Sequence, residues 1–123
     1  MTACRALRLL VADDDPLQLR AAARMLKSLG HSGALAHHGE AALALLERQV
    51  FDVVLLDLRM PVLDGLETLG RIRLGDSRLP VVLVSGDDLS SEWDFYRRAG
   101  ASACLMKPLA QEALRQVLSR WSR

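Results

Sequence analysis

Val53-Val54-Leu55-Leu56, followed at once by Asp57, is the stretch that decides the fold. Four apolar residues with no polar alternation are too few for a helix and predict a strand buried on both faces. Such strands belong to parallel sheets covered by helices on each side. Outward from it the chain alternates in the same way. Residues 6–12 read as a first strand. Residues 16–29 read as a helix, with Leu19, Ala22, Leu26 and Leu29 on one stripe at spacings of three and four. Asp15 is placed as its N-cap, Pro16 as its first residue, Gln18 as capping-box partner and Gly30 as its stop. A short strand at 34–37 and a helix at 40–49 precede the deciding strand.

Beyond the loop 58–63, Asp64 can cap a third helix, with Glu67 three residues on, and Leu66, Leu69 and Ile72 facing inward. A strand at 80–84, a helix at 90–98, a strand at 103–106 and a helix at 109–121 complete the series. In the last helix Leu114, Val117, Leu118 and Trp121 share one side. Five strands alternating with five helices predict a doubly wound α/β domain with a parallel sheet and right-handed crossovers. No repeat, low-complexity tract or linker interrupts it, so residues 1–123 are expected to form one domain.

Of 123 residues, half are hydrophobic and a quarter charged, a globular balance that can bury a core without disulfides. Sixteen Lys and Arg against 15 Asp and Glu argue against direct nucleic-acid binding, which needs a basic excess on one face. Two cysteines, Cys4 and Cys104, suggest neither a disulfide framework nor a zinc site. The start of the chain lacks the form of a signal peptide, and no stretch is long enough to span a bilayer. A cytoplasmic protein without membrane contact is expected.

Ligands of doubly wound sheets bind beyond the carboxyl ends of the strands. There the chain puts Asp13-Asp14-Asp15, Asp57, Ser85 and Lys107. If the first and third strands are neighbours, Asp13, Asp14 and Asp57 converge. Two carboxylates about 4 Å apart repel by roughly 4 kcal/mol at an effective dielectric near 20, so convergence calls for a cation. Hard oxygen ligands that leave room for phosphate favour Mg2+. Asp57 as nucleophile, Lys107 as counter-charge and Ser85 as hydroxyl donor make a set suited to phosphoryl transfer. Asp15 reads as a cap, Asp64-Gly65 as cap and turn, and His31, His37 and His38 as solvated residues.

The chain resembles bacterial two-component response-regulator receiver domains of the chemotaxis-regulator type. The matching stretches run from Leu9 to Pro16, from Phe51 through Asp57-Leu58-Arg59-Met60-Pro61 to Asp64-Gly65, over Val82-Leu83-Val84-Ser85-Gly86, and from Ala99-Gly100-Ala101 to Lys107-Pro108. The resemblance implies a flavodoxin-like sheet of order 2-1-3-4-5. It implies Asp57 as phosphoacceptor, Asp14 as a direct Mg2+ ligand, Asp13 as one acting through water, and the Arg59 carbonyl as a further ligand. Ser85 and Lys107 would contact the phosphoryl group, and the Lys107–Pro108 bond would be cis. The implied donor is a sensor histidine kinase or phosphotransfer protein. The output would be a switched protein partner bound at the face of helix four, strand five and helix five, with self-association as a homodimer left open.

One departure stands out. Where the family usually carries Tyr or Phe in strand five, this chain has Cys104, too small to swing inward as a switch. Three of its five aromatics, Trp93, Phe95 and Tyr96, cluster on helix four instead, and Trp93 and Cys104 are expected on the partner surface. Arg59 and Asp87 are expected to pair beside Asp57 and tune dephosphorylation.

A phosphatase with an aspartate nucleophile would need an acid two residues after it, where Arg59 stands. A flavin carrier would need a glycine- and hydroxyl-rich phosphate loop where three aspartates stand. The expected role is a phosphoacceptor that assists its own chemistry, not a dedicated enzyme. The closing helix leaves no effector domain within the chain. Whether the receiver stands alone, relays phosphate, or comes from a hybrid kinase or larger regulator is open at this level.

Overall fold

A computed structural model describes residues 5–76 and 78–122; Cys4 lies outside them. Five strands, β1 (Arg8–Ala12), β2 (Ser32–Ala36), β3 (Val53–Asp57), β4 (Val81–Ser85) and β5 (Ala103–Met106), form one parallel sheet of order β2-β1-β3-β4-β5. Between them run α1 (Pro16–Ser28), α2 (Gly39–Arg48), α3 (Gly65–Gly75) and α4 (Trp93–Ala99), the last entered by a 3-10 turn at Ser90–Glu92; α5 (Gln111–Leu118) follows β5.

β3 and β4 are buried throughout and β1 from Leu9 onward, and their side chains alternate between two cores. Leu10, Ala12, Val54, Leu56, Val81 and Leu83 meet α2, α3 and α4 on one face. Leu9, Val11, Val53, Leu55, Val82 and Val84 meet Leu19, Ala22 and Leu26 of α1 and Leu114 and Leu118 of α5 on the other. Each fully buried Val or Leu contributes roughly 1.5–3 kcal/mol, so the apolar run that announced β3 also fixes its place mid-sheet.

Element ends moved by one to three residues, for tertiary reasons. β1 begins at Arg8 rather than 6, although Leu7 is buried. β2 covers Ser32–Ala36 instead of 34–37, because pairing of Ser32 with Arg8 and Gly33 with Leu9 recruits residues with no apolar signal. β4 keeps Ser85 inside the strand. Asp15 caps α1 by accepting from the Leu17 N–H, but its own N–H donates to Asp13 Oδ1, so the box with Gln18 is replaced by a tie to the acid two residues back. Leu29 is the cap residue rather than a helical one, and Gly30 at φ +85° ends the helix. Helix five is shorter than expected at both ends, and Trp121 lies past its last turn. Leu66 is only half-buried, while Leu69 and Ile72 face inward.

Candidate functional site

The register of β1 on β3 pairs Ala12 with Leu56; one step further it brings Asp13 beside Asp57, beyond the carboxyl ends of both strands. Asp57 closes β3 and is 3% exposed; Asp13 is buried with it, while Asp14 is exposed. Carboxylate oxygens of the three lie within 4.8 Å of one another. β5 supplies the counter-charge, since the Lys107 backbone N–H donates to the Ser85 carbonyl at 2.7 Å and anchors that loop beside β4. The Lys107 Nζ then sits 3.2 Å from Asp13 Oδ2 and 3.2 Å from Asp57 Oδ2. The Lys107–Pro108 peptide is cis. The Arg59 N–H donates to Asp57 Oδ1 at 3.3 Å.

Access to this geometry depends on one glycine. A Cβ at Gly65 would lie 2.3 Å from the Asp57 carbonyl oxygen, so only glycine lets α3 start against the end of β3. Asp64 caps that helix by accepting from the Glu67 N–H at 2.8 Å, and the Gly65 N–H donates to the Leu58 carbonyl at 3.0 Å.

Burial pushes the Asp57 carboxyl above its ordinary value and the charge of Asp13 adds to this, while Lys107 and the Arg59 N–H pull the other way. For Lys107, burial works to lower the ammonium's pKa, but Asp57 and Asp13 outweigh it and hold the group charged above its usual range. One lysine between two buried acids, with a third acid at the rim, leaves an excess of negative charge that a hard cation would neutralise. The three carboxylates are the donor set such a cation prefers.

Ser85 is buried, and its Oγ accepts from the Asp87 N–H at 3.0 Å. Above it, Arg59 and Asp87 form an exposed ion pair at 2.6 Å. Trp93 and Cys104 line one groove of about 420 Å3, with Ser90, Arg97, Val117 and Arg120. Trp93 is half-buried against the core, however, and the exposed aromatic of α4 is Phe95. Cys104 is a free, half-buried thiol whose pKa is raised by burial and then by Asp88.

Several residues carried no sequence signal. The Leu63 N–H donates to the Pro61 carbonyl around Val62, which is held at φ +67° and is 92% exposed; nothing marks a β-branched residue for a left-handed turn. His31 is not simply solvated: its Nδ1 accepts from the Leu7 N–H at 2.9 Å, and burial lowers its pKa. His38 caps α2 through Nδ1, while His37 is exposed. A cavity of about 530 Å3 between α2 and α3 lies around Phe51, Ile72 and Leu79, before β3 and β4 begin and away from the acids.

Residues 9–119 match the family model of the response regulator receiver domain. The chain belongs to that family. As a receiver domain of two-component systems it has a phosphoacceptor role in signalling. It is 39% identical over 111 residues to the sensor histidine kinase RcsC of Salmonella typhi, covering 90% of this chain but 12% of that protein. The receiver thus spans about an eighth of the length of such relatives. Among solved structures it is similar to the chemotaxis protein CheY4 of Vibrio cholerae, with TM-score 0.87, 26% identity and 95% and 98% of the two chains covered. It is also similar to the receiver domain of the sensor histidine kinase PA1611 of Pseudomonas aeruginosa, with TM-score 0.84, 31% identity and 94% and 97% covered; in that structure a magnesium ion is coordinated in the active-site cleft. No helix among the described residues is long and apolar enough to cross a membrane.

Proposed function

We propose that residues 1–123 act as a single cytoplasmic receiver domain in which Asp57 accepts a phosphoryl group from a histidine kinase or phosphotransfer protein. The observation that carries this reading is the buried Asp57, 3.2 Å from Lys107 and within 4.8 Å of two further acids. Asp13, Asp14, Asp57 and the Arg59 carbonyl would hold Mg2+, which when bound supplies positive charge to the oxygens of the transferring group.

An Asp57 carboxylate oxygen attacks phosphorus, and the bond from phosphorus to the donor's imidazole nitrogen breaks. The electron pair leaves with that nitrogen, and the product is an aspartyl phosphate. Lys107 stays charged and balances the phosphoryl oxygens, and the Ser85 hydroxyl donates to one of them. The new group shifts an existing conformational equilibrium that reaches a protein partner through α4, β5 and α5.

The test is intact mass after a small-molecule phosphodonor, with and without Mg2+, for wild type and Asp57→Ala. A metal-dependent single adduct absent from the variant supports the reading. No adduct under any condition refutes it.

A further inference from the structure

Cys104 leaves β5 without an aromatic side chain near Ser85, yet a groove that Ser85 lines is also lined by an aromatic of α4. Its volume is about 260 Å3. Besides Ser85 and Tyr96 of α4 it is lined by Leu58, Arg59, Asp64, Leu66, Asp87 and Leu89. Tyr96 is half-buried and packs on the same core as Cys104. Trp93 lines the separate groove at Cys104, and Phe95 faces solvent. Of the three aromatics on α4, Tyr96 is the one that lines a cavity with Ser85.

α4 is also attached unevenly. Its end is pinned to α3 and the sheet: Arg73 Nη2 and Nε donate to the Gly100 carbonyl at 2.6 and 3.0 Å, the Ala101 N–H donates to Tyr96, and the Ser102 N–H donates to Val81. Its start has neither a side-chain cap nor, over its seven residues, a fully buried side chain. Among the described residues, the hydrogen bonds at that start are local ones, from Ser90 to Asp88, from Glu92 to Leu89 and from Arg97 to Asp94. The loop leading into it is tied to Ser85 through the Asp87 N–H. A hydroxyl drawn toward Asp57 would release that N–H and enlarge the cavity together.

We infer that Tyr96 is the aromatic reporter of this receiver: when Ser85 turns to the phosphoryl group, the Tyr96 ring moves into the space behind it, and α4 pivots about the Arg73–Gly100 pin. This rests on Asp57 being the phosphoacceptor. The role falls to helix α4 because β5 offers only a thiol at Cys104, and the pin converts a ring displacement into a swing of the helix start that carries Trp93.

Tyr96 is the chain's only tyrosine, so 3-fluorotyrosine labelling gives a single 19F resonance. The labelled full chain is phosphorylated with acetyl phosphate and Mg2+, and the adduct fraction is read by intact mass. The expected result is a second resonance whose fraction equals the phosphorylated fraction, and no second resonance in Ser85→Ala at the same adduct level. In a Trp121→Phe background, Trp93 emission changes on phosphorylation, keeps that change in Tyr96→Phe and loses most of it in Tyr96→Leu. An adduct with an unmoved resonance, or an equal shift in Ser85→Ala, overturns the inference and leaves the phosphoacceptor standing. Absence of any adduct overturns both.

Discussion

Removing the charge of Asp57 should stabilise the metal-free domain. In Asp57→Asn the amide keeps the shape of the side chain and loses three electrostatic relations. Repulsion from Asp13, with oxygens inside 4.8 Å, amounts to about 3–4 kcal/mol at an effective dielectric near 20. Attraction to Lys107 at 3.2 Å is about 5 kcal/mol on the same scale. Asp14 is exposed, so its share of the repulsion is largely screened. The attraction exceeds the repulsion by about 1–2 kcal/mol, and Lys107 retains Asp13 as a partner. The desolvation of a carboxylate that is 3% exposed then decides the sign.

Desolvation costs several kcal/mol per buried ion, so its relief exceeds that remainder and leaves a net gain of about 1–3 kcal/mol. With a urea slope of about 1–3 kcal/mol per molar, the midpoint should rise by about 1 M in EDTA at pH 7. The pH dependence follows from the raised pKa. The folded state binds this proton more tightly than the unfolded chain, so Asp57's contribution to stability is full below the ordinary carboxylate value of 3.8. It is lost as pH rises through the raised one. The advantage of the Asn variant is therefore greatest near neutrality and vanishes in acid. Excess Mg2+ should erase it, because at 100-fold over its Kd a ligand adds about 2.7 kcal/mol to the wild type alone. The assay is urea unfolding followed by circular dichroism, with EDTA or MgCl2. A variant less stable than wild type by more than about 1 kcal/mol in EDTA at pH 7 would refute the reasoning, since the Lys107 pairing would then exceed burial and repulsion.

Arg59→Ala should change the lifetime of the phosphorylated form, followed by loss of the mass adduct, while shifting stability by less than about 1 kcal/mol because the pair with Asp87 is exposed; an unaltered decay rate sinks the gating idea. Trp93→Ala should cost about 1–3 kcal/mol by opening the half-buried contact with the core, whereas Phe95→Ala, at a residue 56% exposed, should stay within about 0.5 kcal/mol. If partner affinity follows Trp93 and not Phe95 once stability is accounted for, the surface assignment stays with Trp93. His31 accepts from the Leu7 N–H only while Nδ1 is unprotonated, and its pKa is lowered by burial. Its stabilising contribution is thus present above the ordinary value of 6.5 and lost as pH falls toward the lowered one. His31→Gln should flatten the stability profile as pH falls below about 6.5, and an unchanged slope would show that the contact carries no linkage.

The sequence by itself determined the α/β alternation, the parallel sheet and the set of residues at the strand ends. These are local properties. A run such as Val53–Leu56 has no stable place except between two helical layers, and strand ends of a doubly wound sheet collect function. Asp13, Asp14, Asp57, Ser85 and Lys107 were therefore legible as candidates, and Asp64 and Pro16 marked their helix starts. β2 was legible only in part, because an edge strand with an exposed face lacks the apolar pattern and takes its limits from pairing with β1.

Only the tertiary structure decided which acids are buried, and that Lys107 lies equally close to Asp13 and Asp57. Residues 44 and 50 positions apart meet through strand register, which no local pattern encodes. Packing likewise decided the roles of the α4 aromatics. With one helix turn of three large rings, the sequence predicts that some face inward, but the rotation of a seven-residue helix is set by what it rests on. Here the Arg73–Gly100 pin and the core beneath α4 leave Trp93 half-buried and Phe95 in solvent, and place Tyr96 on the groove that Ser85 lines.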